Sequence, residues 1–344
     1  MRSLLHKIVN WEYWPFQVLY IPIYFQWLYY SFRSKSLFFF NAVNPSMKNG
    51  GFFMESKMDI YDLIPQKYYP KTVLIDHTAE LEKVKLLMTE KEIGFPAFVK
   101  PDIGLRGNAV KKIYNYNELA NYLHKADFDF LIQESINLPN EIGVFYIRFP
   151  EEQKGTVTGI VEKELLSVTG DGTSTILQLL DKNPRFRMQI KALKKEYGQK
   201  LNNTLQKDEV MNLVPYGNHA RGAKFIDSSH LISPELEKVI DTMCMQIQGF
   251  HFGRIDLMYN SIAELEKGEN FMIVEVNGAS SEPTHIYDPS HSLLFAWKEL
   301  ARHISYLHKI SRANHEKGNP YLDFATGMSQ WKLQREHNKR ITSF

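Results

Sequence analysis

With 344 residues, 44% of them hydrophobic, the chain is long enough to bury a sizeable core in about two or three packed subdomains. Its 41 basic and 39 acidic side chains leave a formal charge of +2, which removes the electrostatic case for a nucleic-acid partner. The single cysteine, Cys244, excludes an intrachain disulfide, argues against a cysteine-built zinc site and fits a reducing compartment.

The N-terminal stretch from Tyr13 to Phe32 contains 20 residues without a formal charge, between Arg2 and Lys7 on one side and Arg33 and Lys35 on the other. Its length permits a membrane span, but Pro15 and Pro22 break it. Trp14, Trp27 and the tyrosines at 13, 20, 24, 29 and 30 prefer headgroup depth to hydrocarbon. No small-residue cleavage site follows, so a removed signal peptide is not expected. Three readings stand: helices packed on the chain's own core or a subunit interface, an aromatic helix lying on a membrane, and a true span. The preferred expectation is a cytoplasmic protein, peripheral on the inner face of the membrane. A chain starting near Ser46 would then stay soluble and folded; on the core reading it would aggregate.

From Ser56 the pattern is helix, proline-marked loop and strand as far as Asp76. Helical spacing covers Glu80 to Ile93, Ala97 to Lys100 is a strand, Asp102 to Asn108 a glycine loop and Ala109 to Tyr114 a strand. A helix from Glu118 to Lys125 and a strand from Phe130 to Glu134 follow. Next come a hairpin of Glu141–Phe149 with Gly155–Lys163, then helices over Thr175–Leu180 and Pro184–Tyr197. Ser233 caps a helix reaching Gln248, with Pro234 in its first turn. Apolar runs at Ile255–Tyr259 and Phe271–Val276 form paired strands, and a last helix extends to about His308. The tail from Ser311 reads as polar and loosely packed. The fold class is α+β (α/β). The domains expected are an aromatic helical segment at 1–55, subdomains at 56–130 and 131–308, and a tail at 309–344.

The two paired strands carry the chemistry. Asp256 lies in the first, and Glu275 and Asn277 share one face of the second by the period of two. Three oxygen donors suit Mg²⁺ (or Mn²⁺), a hard cation that keeps water and takes phosphate oxygens. Arg254 adds a fixed positive charge beside Asp256. Charged groups inside Ile, Val and Met runs need partners, which disfavours an ordinary solvated hairpin. With the carboxylates facing each other, neutralising one is expected to relieve repulsion.

This R-x-D and E-x-N pair resembles the metal site of the ATP-grasp ligases, most closely the D-alanine–D-alanine ligase branch, over about residues 56 to 305. The resemblance implies two α+β subdomains clamping ATP. It implies that Lys57 and Lys100 neutralise phosphates, that Gly104 and Gly107 let backbone N–H groups approach them, and that Glu134 with the backbone through Ile136 reads adenine. Glu141 would accept the ribose hydroxyls, while Lys163, Arg221 and Arg254 would serve the transferred phosphate and the acyl-phosphate. His219, beside Asn218 in the Arg221 loop, is a candidate general base, but a single loop histidine reads as exposed. The turn GDGTST resembles one in cyanophycin synthetases and amino-acid ligases, and reads as a helix start.

Two departures bear on substrate. Residues 1–55 do not read as the nucleotide-binding-like domain that such ligases usually place first. Ser280 and Ser281 stand where relatives hold the amine substrate's carboxylate, but the usual Asn-x-x-Pro-Gly pattern is missing. The reaction implied is carboxylate–amine ligation through an acyl-phosphate, with ATP and Mg²⁺ and small acid and amine substrates such as amino acids, peptides or amino-lipids. A homodimer is compatible with it. The alternatives are a membrane-associated scaffold that binds nucleotide without turning it over, and a phosphotransferase that makes no amide.

Overall fold

The computed structural model describes residues 8–344 other than 215, 216 and 218, so Arg2, Lys7 and Asn218 lie outside it. A turn at Trp11–Tyr13 precedes Pro15, and the uncharged run continues as one helical turn at Phe16–Leu19 and helix α1 (Ile21–Ser34), with Pro22 in its first turn. The 14 residues of α1 extend about 21 Å at 1.5 Å per residue, short of a hydrocarbon core about 30 Å thick. Among the described residues no helix is long and apolar enough to cross a membrane. One side of this segment is core: Leu19, Tyr20 and Ile23 pack on Ile286, Ala296 and Leu300. Phe38, Phe39, Phe40 and Val43, which follow it, pack on Phe145, Ile147 and Phe252.

Helix α2 (Lys57–Asp62) is capped by Ser56, whose hydroxyl accepts from the Asp59 N–H. Strands β1 (Thr72–Ile75), β2 (Ala97–Pro101), β3 (Lys111–Ile113) and β4 (Phe130–Glu134) make an antiparallel sheet in the order β1-β4-β2-β3. Helices α3 (Leu81–Glu90) and α4 (Tyr116–Lys125) cover it, burying Val84, Met88, Leu119 and Tyr122. Strand β3 is shorter than the expected Ala109–Tyr114, because Ala109 takes a left-handed backbone (φ 59°) that no extended strand accommodates.

The second sheet contains β5 (Asn140–Ile147), β6 (Thr156–Glu164), β9 (Lys224–Asp227), β10 (Phe252–Tyr259) and β11 (Phe271–Asn277), in the order β11-β10-β5-β6-β9. Strands β7 (Ser167–Thr169) and β8 (Val210–Asn212) form a separate ribbon. Helix α5 (Pro234–Met245) sets Leu236, Ile240 and Met243 against Val144, Ile160 and Leu257 of the sheet. The helix expected over Pro184–Tyr197 is broken into Pro184–Arg187 and Ile190–Tyr197.

The C-terminal expectation fails. Helix α6 (Leu293–Glu316) runs past His308, and α7 (Phe324–Ser343) is an ordered helix seated on the first sheet. Ile341 and Phe344 join the core around Val84 and Phe128. Gln334 accepts from the Met54 N–H at 2.6 Å, and His337 donates to the Ile103 carbonyl at 2.8 Å. The apolar positions of α7 are too sparse to show as a helical stripe, so only its distant partners order it.

Candidate active site

Strands β10 and β11 set the centre. In their register Asp256 faces Glu275 and Arg254 faces Asn277. The Arg254 side chain lies along its own strand and donates to Asp256 through Nε at 3.0 Å and Nη2 at 3.1 Å. From β6, Lys163 Nζ reaches Asp256 Oδ1 at 3.2 Å and Glu141 Oε1 at 2.6 Å. From the first turn of α2, Lys57 Nζ meets Glu275 Oε1 at 2.7 Å. The expected repulsion between carboxylates is therefore answered by cations on each. Burial raises the Glu275 pKa, but Lys57, Lys100 and Arg254 together outweigh it and carry the group down to about 2. Asp256 is likewise held low, Arg254 and Lys163 outweighing its burial.

Strand β10 approaches β5 closely at this point. A Cβ on Gly143 would stand 2.8 Å from Asp256 Oδ1 and 2.9 Å from Val161 Cγ1, so only glycine leaves room for the carboxylate.

Lys100, buried on β2, donates to Tyr61 Oη and Gln133 Oε1 at 2.9 Å each and to the Val274 carbonyl at 3.2 Å. All three acceptors are formally neutral. Burial, with Lys57 nearby, pushes its pKa down to about 7. Two residues on, Asp102 accepts from Ser56 Oγ at 3.0 Å and from the Met58 N–H at 2.9 Å. That carboxylate ties the end of β2 to the start of α2, fixing the two lysines relative to each other. Gly104 and Gly107 follow, and a Cβ on Gly104 would stand 3.1 Å from Lys57 Nζ.

These groups surround one cavity of about 1440 Å³ between the two sheets. Of the residues singled out in the sequence, Lys57, Lys100, Gly104, Gly107, Ile136, Glu141, Lys163, Arg254, Asp256, Glu275 and Asn277 line it. Glu134 and Arg221 do not. The Glu134 carboxylate accepts from the Lys71 N–H at 2.7 Å, while the following Ser135 and Ile136 line the cavity. His219 lines the cavity and is half-buried rather than exposed. Ser280 and Ser281 line it as well.

Four contributors had no local signal. Glu55 is half-buried beside Lys57 and accepts from the Gly278 N–H at 3.0 Å; desolvation raises its pKa to about 7. Glu12 is bound by Arg185 at 2.6 Å and His219 at 3.0 Å. Gln334 and Asn338 of α7 complete the wall. None sits in a motif, and each arrives through contacts far along the chain.

The donor set fits Mg²⁺. Asp256 and Glu275 offer hard oxygens from facing positions, and Asn277 Nδ2 is buried without a partner. Rotating that carboxamide puts its oxygen at the same unpartnered position. A second group with metal-ligand spacing, Asp76, His77 and Asp129, is exposed, and none of the three lines the cavity.

No protein-family model matches the chain. Over 224 residues, 58% of the chain, it is 27% identical to cyanophycin synthetase from Synechocystis sp.. That alignment covers 24% of the relative, so the chain spans about a quarter of its length. Among solved structures, it aligns with D-alanine–D-alanine ligase from Bacillus anthracis complexed with ATP at 15% identity and a TM-score of 0.43. That match covers 76% of this chain and 68% of the other. VanG D-Ala:D-Ser ligase from Enterococcus faecalis matches at 17% identity and a TM-score of 0.40, covering 74% of this chain and 61% of its own. The resemblance to ATP-grasp ligases is thus matched by sequence similarity to a curated synthetase.

Proposed function

We propose that the chain is an ATP- and Mg²⁺-dependent carboxylate–amine ligase working through an acyl-phosphate. The observation that carries this reading is the set Asp256, Glu275 and Asn277 on paired strands, with Lys57, Lys100, Lys163 and Arg254 on the same cavity. Similarity to a synthetase over more than half of the chain supports it. The residues at 56–130 and 131–308 would form the two halves of the ATP clamp.

Asp256, Glu275 and Asn277 would hold Mg²⁺, which when bound neutralises and orients phosphate oxygens. Lys57 pairs with Glu275 and Lys163 with Asp256. With ATP and metal bound, the Lys57 and Lys163 ammonium groups would pair with phosphate oxygens, Lys163 keeping Glu141 as a second partner. Lys100, whose present acceptors are neutral, would be held protonated by a phosphate beside it. Arg254, aligned by Asp256, faces the transferred phosphoryl group and then the oxyanion formed when the amine attacks. The substrate carboxylate oxygen takes the phosphoryl group with ADP leaving, and the amine nitrogen then displaces phosphate to give the amide. The protein's part is positioning and charge neutralisation.

Amino acids, peptides and amino-lipids are the acceptor classes this reading admits, and a peripheral place on the inner face of a membrane goes with the last. ADP release from purified chain, measured against a panel of these with and without Mg²⁺, tests it. Amine-dependent ADP and amide product are expected; ADP release without amide would point to a phosphotransferase, and nucleotide binding without ADP release to a scaffold.

A further inference from the structure

Helix α1 has two unlike sides. Ile23, Gln26, Trp27, Tyr30 and Ser34 face inward, Gln26 donating to the Ala301 carbonyl at 2.8 Å and Tyr30 stacking on His308 at 4.1 Å. Ile21, Tyr24, Phe25, Leu28, Tyr29 and Phe32 form the opposite stripe, at helical spacing, and all are exposed. Phe25 is 71% and Phe32 83% exposed. No acidic residue occurs between Tyr13 and Ser36. The C-terminal end of the stripe is basic instead: Arg33, Lys35, Lys309 and Arg312 are exposed there, and Arg33, Lys309 and Arg312 all act on His308. Arg312 is partly engaged by Glu316 at 2.8 Å.

The same segment also builds the cavity. Tyr13, Trp14, Phe16 and Leu19 line it. Phe16 stacks on Tyr20 at 3.9 Å, and Tyr20 contacts Tyr24 at 6.4 Å, so one series of rings leads from the cavity wall to the exposed stripe. Tyr20 also donates to Glu282, which lines the cavity.

We infer that the exposed face of α1 docks on an anionic lipid surface, and that the cavity takes the polar head of an amphiphile presented there. An apolar stripe of rings with cations at its edge fits the interface of a bilayer carrying negative headgroups. The ring series joins the docking face to the wall of the cavity. The membrane and core readings of the segment are then two faces of one element. The substrate half of the inference rests on the ligase reading; the docking half does not.

The full chain is floated with phosphatidylcholine vesicles, with and without phosphatidylglycerol. Expected is co-flotation with the anionic vesicles, and loss of at least about tenfold in binding for the Phe25→Ser/Phe32→Ser double variant and for Arg33→Glu/Lys35→Glu. Both pairs are exposed and outside the ATP site, so ATP turnover with soluble substrates should stay at the wild-type level. Wild type that ignores both vesicles, or binds both equally, overturns the docking. So does light scattering that shows a wild-type dimer which Phe25→Ser/Phe32→Ser converts to monomer. ADP release should rise when an amine- or carboxylate-bearing amphiphile is placed in the anionic vesicles, and fall back with the Phe25→Ser/Phe32→Ser variant. Docked protein that turns over soluble substrates but gains nothing from the amphiphile overturns the substrate half. Docked protein that releases no ADP on any substrate sinks the ligase reading and leaves the docking standing.

Discussion

Lys57 and Glu275 meet at 2.7 Å across 218 residues of sequence, the ammonium on the first turn of a helix and the carboxylate on a strand of the facing sheet. The pair sits on the cavity wall, with 18% and 33% of the two side chains exposed. Water in the cavity screens it, so its worth is about 1 kcal/mol rather than that of a dry ion pair. Lys57→Met should therefore cost about 1 kcal/mol in urea denaturation while weakening ATP binding at least about tenfold by calorimetry. An unchanged ATP affinity would remove Lys57 from the phosphate site. Glu275 is held low in the folded state, so its contribution is present above its ordinary pKa and is lost as pH falls toward about 2.

Asp256→Asn and Glu275→Gln should abolish Mg²⁺-dependent ADP release with the far-UV spectrum unchanged. Their stabilities should differ in sign from the relief of repulsion expected on sequence grounds. Asp256 is nearly buried between Arg254 and Lys163, so Asp256→Asn leaves two cations short of a partner and should destabilise by about 1–3 kcal/mol. Thermal melts of the metal-free protein check this; a stabilised variant would contradict the charge assignment.

ATP binding should take up a proton near pH 8. Lys100 has a folded pKa of about 7, and an anionic triphosphate must raise it. Binding enthalpies in buffers of different ionisation heat give the number of protons, and Lys100→Met should abolish most of the uptake. The same depressed pKa makes the unfolded state the greater proton binder between about pH 7 and the ordinary lysine value. Stability from this group thus rises with pH across that window. Glu55, pushed up to about 7, acts oppositely, with stability falling as pH rises from the ordinary glutamate value to about 7.

Gly143→Ala should disable the metal site without touching a ligand. The added methyl would stand 2.8 Å from Asp256 Oδ1, forcing β5 and β10 apart or displacing the carboxylate. A loss of Mg²⁺-dependent turnover well beyond the loss in stability is the expected pattern; wild-type turnover would show that Asp256 tolerates the shift.

Deleting residues up to 45 should leave an aggregating chain, the outcome foreseen on the core reading. Phe39, Phe40 and Val43 are fully buried against Phe145, Ile147 and Phe252, and losing even one such ring costs about 3–5 kcal/mol. The deletion also removes Glu12, leaving buried Arg185 without its carboxylate. A soluble, two-state folded fragment would show that the core closes without this segment. Because α1 carries the exposed stripe on its other side, aggregation of the fragment does not bear on vesicle binding by the whole chain.

Local chemistry was enough for part of the site. Alternation along each strand determined that Glu275 shares a face with Asn277, and Arg254 with Asp256, because a strand fixes side-chain direction every two residues; the register that sets Asp256 opposite Glu275 came from the fold. The same logic set Lys100 at the end of a buried strand with a glycine loop behind it. Glu134 shows the limit of such reasoning: its carboxylate is bound to the Lys71 N–H and does not line the cavity, a partner that no local pattern announces. What tertiary structure alone decided is who pairs with whom over long separations. Glu12 finds Arg185, Gln334 finds Met54, and α7, expected as a loosely packed tail, brings Gln334 and Asn338 to the cavity wall. No periodicity announces these partners, since each is chosen by which buried donor or acceptor is still unsatisfied once the sheets have formed, and that is a property of the assembled surface.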